Sequence, residues 1–340
     1  MRLRWLLSVS LVFALKIFAQ SLPAQLSRYD GEYILRARDL TYQQNYTAAA
    51  EWVQKICQQP GGEIAGLFWQ SCLIQLLIYD SGNTALVDSF YRTGERVMQI
   101  CARRLKANPA DARAHLYLGL TLLNRANLLS WQNKKLNAFL TMLKVPSHLE
   151  KALALDPELY DALFGLAVVE YFKATADRYC LGLGLLGSRQ RAYEMMESAR
   201  KNARLLQPMA EFMLGFMYKE DQHYEAAIKT CQQLLSRYPD NRAARRLLRD
   251  IYLKMGNFQQ VICLCRELDA DIRANFPNNR YCRAENYLKM AYAWEGIGRV
   301  DSADAYADRI ISWEKYCGSV PWLGNYVREA KWLKSRPRRI

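Results

Sequence analysis

The feature of this sequence that most constrains its fold is a proline that closes an apolar helical segment and recurs at a nearly fixed interval. Pro60, Pro109 and Pro157 follow one another at intervals of 49 and 48 residues. The next such proline, Pro239, comes 82 residues later, which corresponds to one interval of 48 and one of 34 with the proline lost near Leu205. Repetition at these lengths is typical of a solenoid built from stacked supersecondary units.

The repeated units are predicted to be helical. From Asp30 onward apolar residues recur at helical intervals, and no run alternates apolar and polar residues between hairpin turns. The chain is 51% apolar and 24% charged, which excludes a disordered chain, a collagen-like fibre and a protein with many membrane spans. We therefore predict an all-α fold.

Residues 208–241 contain the clearest copy of the unit. This 34-residue segment resembles the tetratricopeptide repeat family, and it matches the family pattern at Leu214, Gly215, Tyr218, Tyr224, Ala227 and Pro239. Residues 242–275 resemble a degenerate copy, with Arg249 where the family prefers a small residue. The resemblance implies a right-handed α-solenoid of antiparallel helix pairs, with several repeats enlarged to about 48 residues.

The repeats divide the chain into five predicted segments. Each helix pair exposes an apolar side that only the next pair can bury, so the two ends of the array are expected to be atypical or polar. The segments are a signal peptide at 1–21, N-terminal helical pairs at 30–109, two extended repeats with inserted connectors at 110–207, regular repeats at 208–320, and a capping helix with a basic tail at 321–340.

The first residues have the order of a secretory leader. Arg2 and Arg4 precede an apolar run, Trp5–Leu15, and small residues follow at Ala19 and Ser21. This order predicts a signal peptide that is cleaved after Ser21, and an uncleaved membrane anchor is the alternative. We expect an exported protein that is periplasmic or membrane-associated.

The resemblance also implies a concave groove lined by the first helix of each pair. Its lining positions in this sequence are mostly apolar, and the candidates are Leu116, Leu120, Phe164, Val168, Tyr171, Phe212 and Phe216. Helices that are apolar nearly all round are normally buried on both sides, so we expect the groove to be covered. The expected cover is the pair of connectors at 125–143 and 173–190. The connectors either fill the groove as additional core or form a lid over a pocket or a peptide channel.

Basic residues are concentrated in the last third of the chain. Lys and Arg number 47 against 33 Asp and Glu, which gives a net charge of +14. A stripe at helical spacing is formed by Arg242, Arg245, Arg246 and Arg249. One interpretation is a solvated helix face, and the other is a site for an anionic partner such as an envelope surface. No nucleic acid is expected as the partner of an exported protein.

Signals for catalysis are scarce. His115, His148 and His223 are the only histidines, and none lies at metal-ligand spacing from another. The nine cysteines lie mostly on apolar helix faces, where a thiol usually packs as a small hydrophobe. We therefore predict no enzyme, no cofactor and no metal. The predicted function is a non-catalytic scaffold for an unknown protein partner, and the alternative is a carrier of an apolar small molecule or lipid beneath the connectors.

Overall fold

The computed structural model describes residues 31–179, 187–320 and 322–336, and within these ranges the regular secondary structure is entirely helical. The α-helices of the described chain are α1 (Glu32–Tyr42), α2 (Tyr46–Gln58), α3 (Glu63–Ser81), α4 (Val87–Ala107), α5 (Ala112–Trp131), α6 (Lys135–Met142), α7 (Val145–Leu155), α8 (Asp161–Tyr179), α9 (Arg189–Asn202), α10 (Gln207–Glu220), α11 (Tyr224–Arg237), α12 (Arg242–Met255), α13 (Phe258–Asn275), α14 (Arg280–Gly296), α15 (Val300–Ile311) and α16 (Leu323–Ser335). Single 3₁₀ turns lie at Thr84–Leu86 and Glu314–Tyr316. The predicted all-α class is confirmed.

The helices stack as pairs in chain order. The pairs are α1/α2, α3/α4, α5/α7, α8/α9, α10/α11, α12/α13 and α14/α15; α6 lies in the connection of the third pair, and α16 closes the array. The first helix of each pair also packs against the first helix of the next pair. This nearest-neighbour stacking is that of an α-solenoid, which confirms the predicted architecture.

Capping residues explain where the helices begin and end. A side-chain oxygen accepts a hydrogen bond from the backbone NH three residues later at the N-caps Asn45, Asp111, Ser188, Asn241 and Asn279. The recurrent prolines Pro60, Pro109, Pro157 and Pro239 each lie two residues beyond the end of a helix. Proline cannot continue a helix because it lacks the NH donor and its ring clashes with the preceding turn.

The helices differ in length along the array. α3, α4, α5 and α8 have 19 to 21 residues, and α10, α11 and α12 have 14 each. None of the described helices combines the length and apolar character that a membrane span requires. The predicted signal peptide at 1–21 lies outside the described residues, and the five segment boundaries stay a prediction.

One large apolar cluster dominates the first two thirds of the array, with two small clusters beside it, and the core of the last third is divided among smaller clusters. The large cluster of buried residues extends from Ile34 to Ala244 and includes side chains of α1 to α5 and of α7 to α12. Beyond it the core consists of smaller clusters, among them one around Ile251, one around Val261 and one around Tyr287. Beyond Ala244 the repeats are therefore held together by small local cores.

The two ends of the array are also in contact, because the first helices of the sixth and seventh pairs, α12 and α14, meet the first helices of the first and second pairs, α1 and α3. The Asn241 side chain at the start of α12 donates to the Tyr42 carbonyl at the end of α1 over 3.0 Å. The Asn279 side chain at the start of α14 donates to the Asp80 carbonyl near the end of α3 over 2.6 Å. Both contacts span 199 residues. We call this set of end-to-end contacts, between α1, α3 and α5 on one side and α12, α14 and α16 on the other, the seam.

The third contact of the seam is aromatic. Trp131 at the end of α5 packs on Trp322, which precedes α16, with ring centroids 3.9 Å apart, and Tyr281 of α14 contacts both indoles. The Asn side chains of the seam serve two helices at once, because Oδ1 caps the helix that begins and Nδ2 satisfies a carbonyl of the helix that ends. The positive end of one helix dipole thus faces the negative end of another.

Candidate functional site

The apolar residues predicted to line the groove lie mainly inside the core. Leu116, Leu120, Phe164, Val168 and Tyr171 are each 7% exposed or less and belong to the continuous apolar cluster. Phe212 and Phe216 of α10 are half-buried against the same cluster. In this conformation the five buried side chains offer no surface to a ligand.

Close packing of α5, α7 and α8 accounts for this burial. A Cβ added at Gly119 of α5 would lie 2.4 Å from the Leu149 side chain of α7, and one added at Gly165 of α8 would lie 2.3 Å from it. Leu149 thus occupies the space that two missing side chains leave open, and it is itself fully buried. The two glycines permit a close approach that closes the groove at this level.

The first predicted cover is helical, and three of its leucines are exposed. Within the connector at 125–143, α5 continues to Trp131 and α6 follows as a short helix. Leu136 of α6 is 70% exposed, and Leu140 and Leu143 are exposed as well. The expectation that this connector covers apolar groove residues is wrong for these leucines. Part of the second connector, 180–186, lies outside the described residues, so its role stays a prediction.

Part of the predicted basic stripe lies in the seam. Arg242 donates to Asp80 over 3.0 Å and also pairs with Asp271, and Arg246 donates to the second oxygen of Asp80 over 3.1 Å. Tyr46 donates to the same carboxylate over 2.7 Å. Asp80 is buried, and it receives two guanidinium groups from a helix 162 to 166 residues away.

Arg249 is the most buried member of the stripe, at 1% exposure. Its guanidinium pairs with Asp250 at 2.9 Å and with Glu285 of α14 at 2.7 Å, and it donates to the Asn286 amide over 3.0 Å. Burial acts to lower the pKa of Arg249, but the two carboxylates outweigh burial and raise the pKa above its ordinary value. The charge is therefore held inside the stack between α12 and α14.

The interpretation of the stripe as a solvated face is thus wrong for Arg242 and Arg249, which are buried. Arg245 alone among the four pairs with an exposed acid, Asp240, at 3.2 Å. Apart from Asp250, which follows Arg249 on α12, the carboxylate partners of the buried arginines come from α3, α13 and α14, so local spacing could not reveal them. Asp80 escaped the sequence prediction, although one signal was present: it is a carboxylate near the end of the largely apolar α3. Whether any arginine of the stripe binds a partner stays a prediction.

Two histidines that are 33 residues apart in sequence meet in the structure. Nδ1 of His115 on α5 lies 3.2 Å from Nδ1 of His148 on α7, and the other nitrogen of His115 lies 3.2 Å from the Pro109 carbonyl. Burial lowers the pKa of His148, and His115 and Lys151 lower it further. Across the described ranges, no group of three or more His, Cys, Asp or Glu side chains is placed to hold a metal ion.

An open cleft of about 650 Å³ lies on the outside of the first two pairs, between α2, α3 and α4. Its apolar lining consists of Ala50, Val53, Leu67, Leu73 and Ile74, and its amide lining consists of Gln54, Gln58, Gln59 and Gln70. Glu63 and Arg96, also in the lining, form an ion pair of 2.9 Å. The sequence prediction did not identify this cleft because it considered only the groove positions of the later repeats, and the cleft lies between α2, α3 and α4.

Comparisons with known proteins agree with the helical architecture. The model of the tetratricopeptide repeat family matches residues 219–281, which extend from the end of α10 into α14. No curated protein sequence matches the chain. Among solved structures, the chain is similar to the APC/C hetero-tetramer Cut9-Hcn1, with 13% identity and a TM-score of 0.54 over 89% of this chain and 52% of that chain. That likeness shows the fold alone.

Two smaller solved proteins are also similar to this chain. One is YrrB, a TPR protein with an unusual peptide-binding site, with 16% identity and a TM-score of 0.41 over 67% of this chain and 97% of that one. The other is PilW, a type IV pilus biogenesis factor, with 12% identity and a TM-score of 0.47 over 76% and 96%.

Proposed function

We propose that this chain is a non-catalytic scaffold that binds a protein partner. It folds as an α-solenoid and matches the tetratricopeptide repeat model at residues 219–281. The observation that carries this proposal is the open cleft between α2, α3 and α4. Its volume lies in the range of natural binding clefts. The partner segment that fits it best is an extended peptide with small apolar side chains.

The chemistry of the cleft supports a peptide ligand. Gln54, Gln58 and Gln70 are exposed, and each amide offers two donors and one acceptor to a backbone that needs both. The apolar side chains between them, such as Ile74, provide area that a peptide can remove from water. With one acid and one base paired in its lining, the cleft carries little net charge, so binding would depend weakly on salt.

The seam supports an outside site over a groove site. The ends of α1, α3 and α5 occupy the space beside the first turns of α12, α14 and α16, and the groove residues of α5 and α8 are buried. A partner would therefore meet this solenoid at the cleft between α2, α3 and α4 rather than in the groove. The carrier alternative requires α5, α7 and α8 to separate before an apolar ligand could enter.

Site-specific photocrosslinking in the native host tests the scaffold. A photoreactive residue is placed at Gln54 or Gln70 in the cleft, and at Gln232 on α11 as an exposed control of the same residue type. We expect a discrete polypeptide adduct from the two cleft positions and none from Gln232. Equal adducts at all three positions, or no adduct at the cleft, would contradict the proposal.

The carrier alternative and the location are tested in the same preparation. Native mass spectrometry of the gently purified protein would reveal a retained adduct of small mass if the chain carries an apolar ligand.

We further propose export, because the order of Arg2, Arg4 and the apolar run Trp5–Leu15 supports a leader. N-terminal sequencing and cell fractionation check this, with a start after Ser21 as the expected result; a mature chain that still begins at Met1 in the cytoplasm overturns it.

A further inference from the structure

A second pocket lies at the opposite end of the array, where the ends of α13 and α15 meet the beginning of α14. It has a volume of about 170 Å³. Its lining is dominated by arginine and aromatic side chains: Arg273, Arg283, Tyr287, Arg309, Ser312 and Trp313. None of these residues belongs to the stripe, the seam or the cleft between α2, α3 and α4.

Hydrogen bonds hold two of the arginines in place. The Tyr287 hydroxyl accepts from Arg273 over 2.9 Å and from Arg283 over 2.8 Å, and it donates to Asp269 over 3.3 Å. The two guanidinium groups are thus fixed around one oxygen, which reduces the entropy that a ligand would lose on ordering them. Their remaining NH groups supply donors that a bound anion can use.

Aromatic rings form the walls of the pocket. Tyr287 and Trp313 stack with centroids 5.6 Å apart and an interplanar angle of 25°. Arg283 lies over both rings, and Arg309 lies over Tyr287 at 5.9 Å. Rings on one side of a guanidinium exclude water and leave its edge donors directed at the open side.

The charge in this pocket is not balanced. Three guanidinium groups face one carboxylate, Asp269, which pairs with Arg273 at 2.8 Å and with Arg283 at 3.3 Å. No carboxylate in the described part of the chain forms an ion pair with Arg309. The interior arginines differ, because Arg242 and Arg249 each have two carboxylate partners. The pocket therefore carries an excess of about two positive charges.

We propose that this pocket binds a phosphate monoester. Such a group carries a charge of about −1.5 to −2 near neutral pH, which matches the excess, and its oxygens match the paired NH donors of guanidinium groups. A planar monoanionic carboxylate would neutralise only half of the excess. Trp313 gives a hydrophobic edge beside the anion, so an aromatic or apolar group next to the phosphate adds contact area.

Calorimetric titration of the purified full-length protein tests the site. Phenyl phosphate, inorganic phosphate and benzoate are titrated separately, and sedimentation with vesicles containing phosphatidic acid tests a lipid headgroup as the source. We expect binding of phenyl phosphate or of the vesicles, and benzoate at least tenfold weaker. Binding of phenyl phosphate identifies a soluble ligand, and binding of vesicles alone identifies a lipid.

Two variants assign the binding to the pocket. Arg309→Gln removes a guanidinium that has no ion-pair partner within the described ranges, so the fold is expected to persist and the affinity to fall about tenfold or more. Arg299→Gln, an exposed arginine outside the pocket, is the matched control and leaves the affinity unchanged. Benzoate binding as tight as phenyl phosphate, equal binding by both variants, or no binding of any phosphate probe overturns the proposal.

Discussion

The first helices of the middle pairs and the first helix α12 face the same side of the solenoid, yet they are buried by different means. Leu120 and Phe164, on α5 and α8, pack within the continuous apolar core that neighbouring pairs share. Arg242, on α12, is buried against the carboxylate of Asp80 on α3, 162 residues away. The apolar core thus joins helix pairs that are adjacent in the chain, and the seam joins helices that are far apart in sequence.

The difference matters for how each region fails. A solenoid with contacts only between neighbours unfolds as a series of local units. The seam adds contacts over 199 residues, so it links the first two pairs to the sixth and seventh. Loss of an apolar contact should therefore weaken one layer, and loss of a seam contact should uncouple the two ends of the array.

The largest expected effect comes from the apolar region. Phe164→Ala removes a buried ring of α8 and should lower the free energy of unfolding by about 3–5 kcal/mol, because it loses apolar burial and leaves a cavity. Phe172→Ala, on the same helix, is the control, since Phe172 is 39% exposed, and it should cost about 1 kcal/mol or less. Urea denaturation followed by circular dichroism measures both. Similar losses would mean that Phe164 faces a ligand space rather than core.

A seam carboxylate comes next. Asp80→Ala leaves Arg246 without its carboxylate partner and Arg242 with only one, and we expect a loss of about 3 kcal/mol. Asp88→Ala, at an exposed acid on α4, is the control and should change little. In hydrogen exchange, Asp80→Ala should expose amides at the start of α12 as well as at the end of α3. Exposure restricted to α3 would show that the seam does not couple the ends.

The sequence predicted the helical pairs well because their signals are local. Pro60, Pro109, Pro157 and Pro239 mark helix ends, and each lies two residues beyond one in the structure. The hydrogen bond that Asn241 donates across the seam has no such local signal. Local rules specify which residues begin a helix. The acceptor that the side-chain NH₂ of an N-cap asparagine finds depends instead on the curvature of the whole array.

The candidate sites were predicted less well for the same reason. Spacing placed Arg242, Arg246 and Arg249 on one helix face correctly, but it could not supply Asp80 or Glu285, which curvature brings to that face. The pocket of α13 to α15 likewise combines three helices whose arginines have no common spacing. Such groupings follow from tertiary packing, which repeat positions alone do not determine.

A pair of N-cap variants measures the seam separately from helix capping. Asn45 caps α2 and is exposed, so Asn45→Ala should cost about 1 kcal/mol, the usual value for a lost cap. Asn279 caps α14 and also donates to the Asp80 carbonyl, so Asn279→Ala should cost about 2 kcal/mol. The difference between the two midpoints of urea unfolding reports the seam bond. Equal losses of unfolding free energy in the two variants would show that the seam hydrogen bond of Asn279 does not contribute to stability.

The smallest expected effect depends on pH and returns to the apolar region, which holds a histidine pair where the seam holds ion pairs. The pKa of His148 in the folded protein lies below its ordinary value of 6.5, so the unfolded chain binds more protons between those two values. Its contribution to stability is therefore present above about pH 6.5 and is lost as the pH falls through the folded pKa. His148→Asn should flatten this part of the profile of unfolding free energy, and the exposed His223→Asn should not. If the unfolding free energies of the wild type and of His148→Asn depend on pH in the same way, protonation of His148 does not destabilise the apolar region. The apolar region and the seam would then differ in geometry and not in their tolerance of charge.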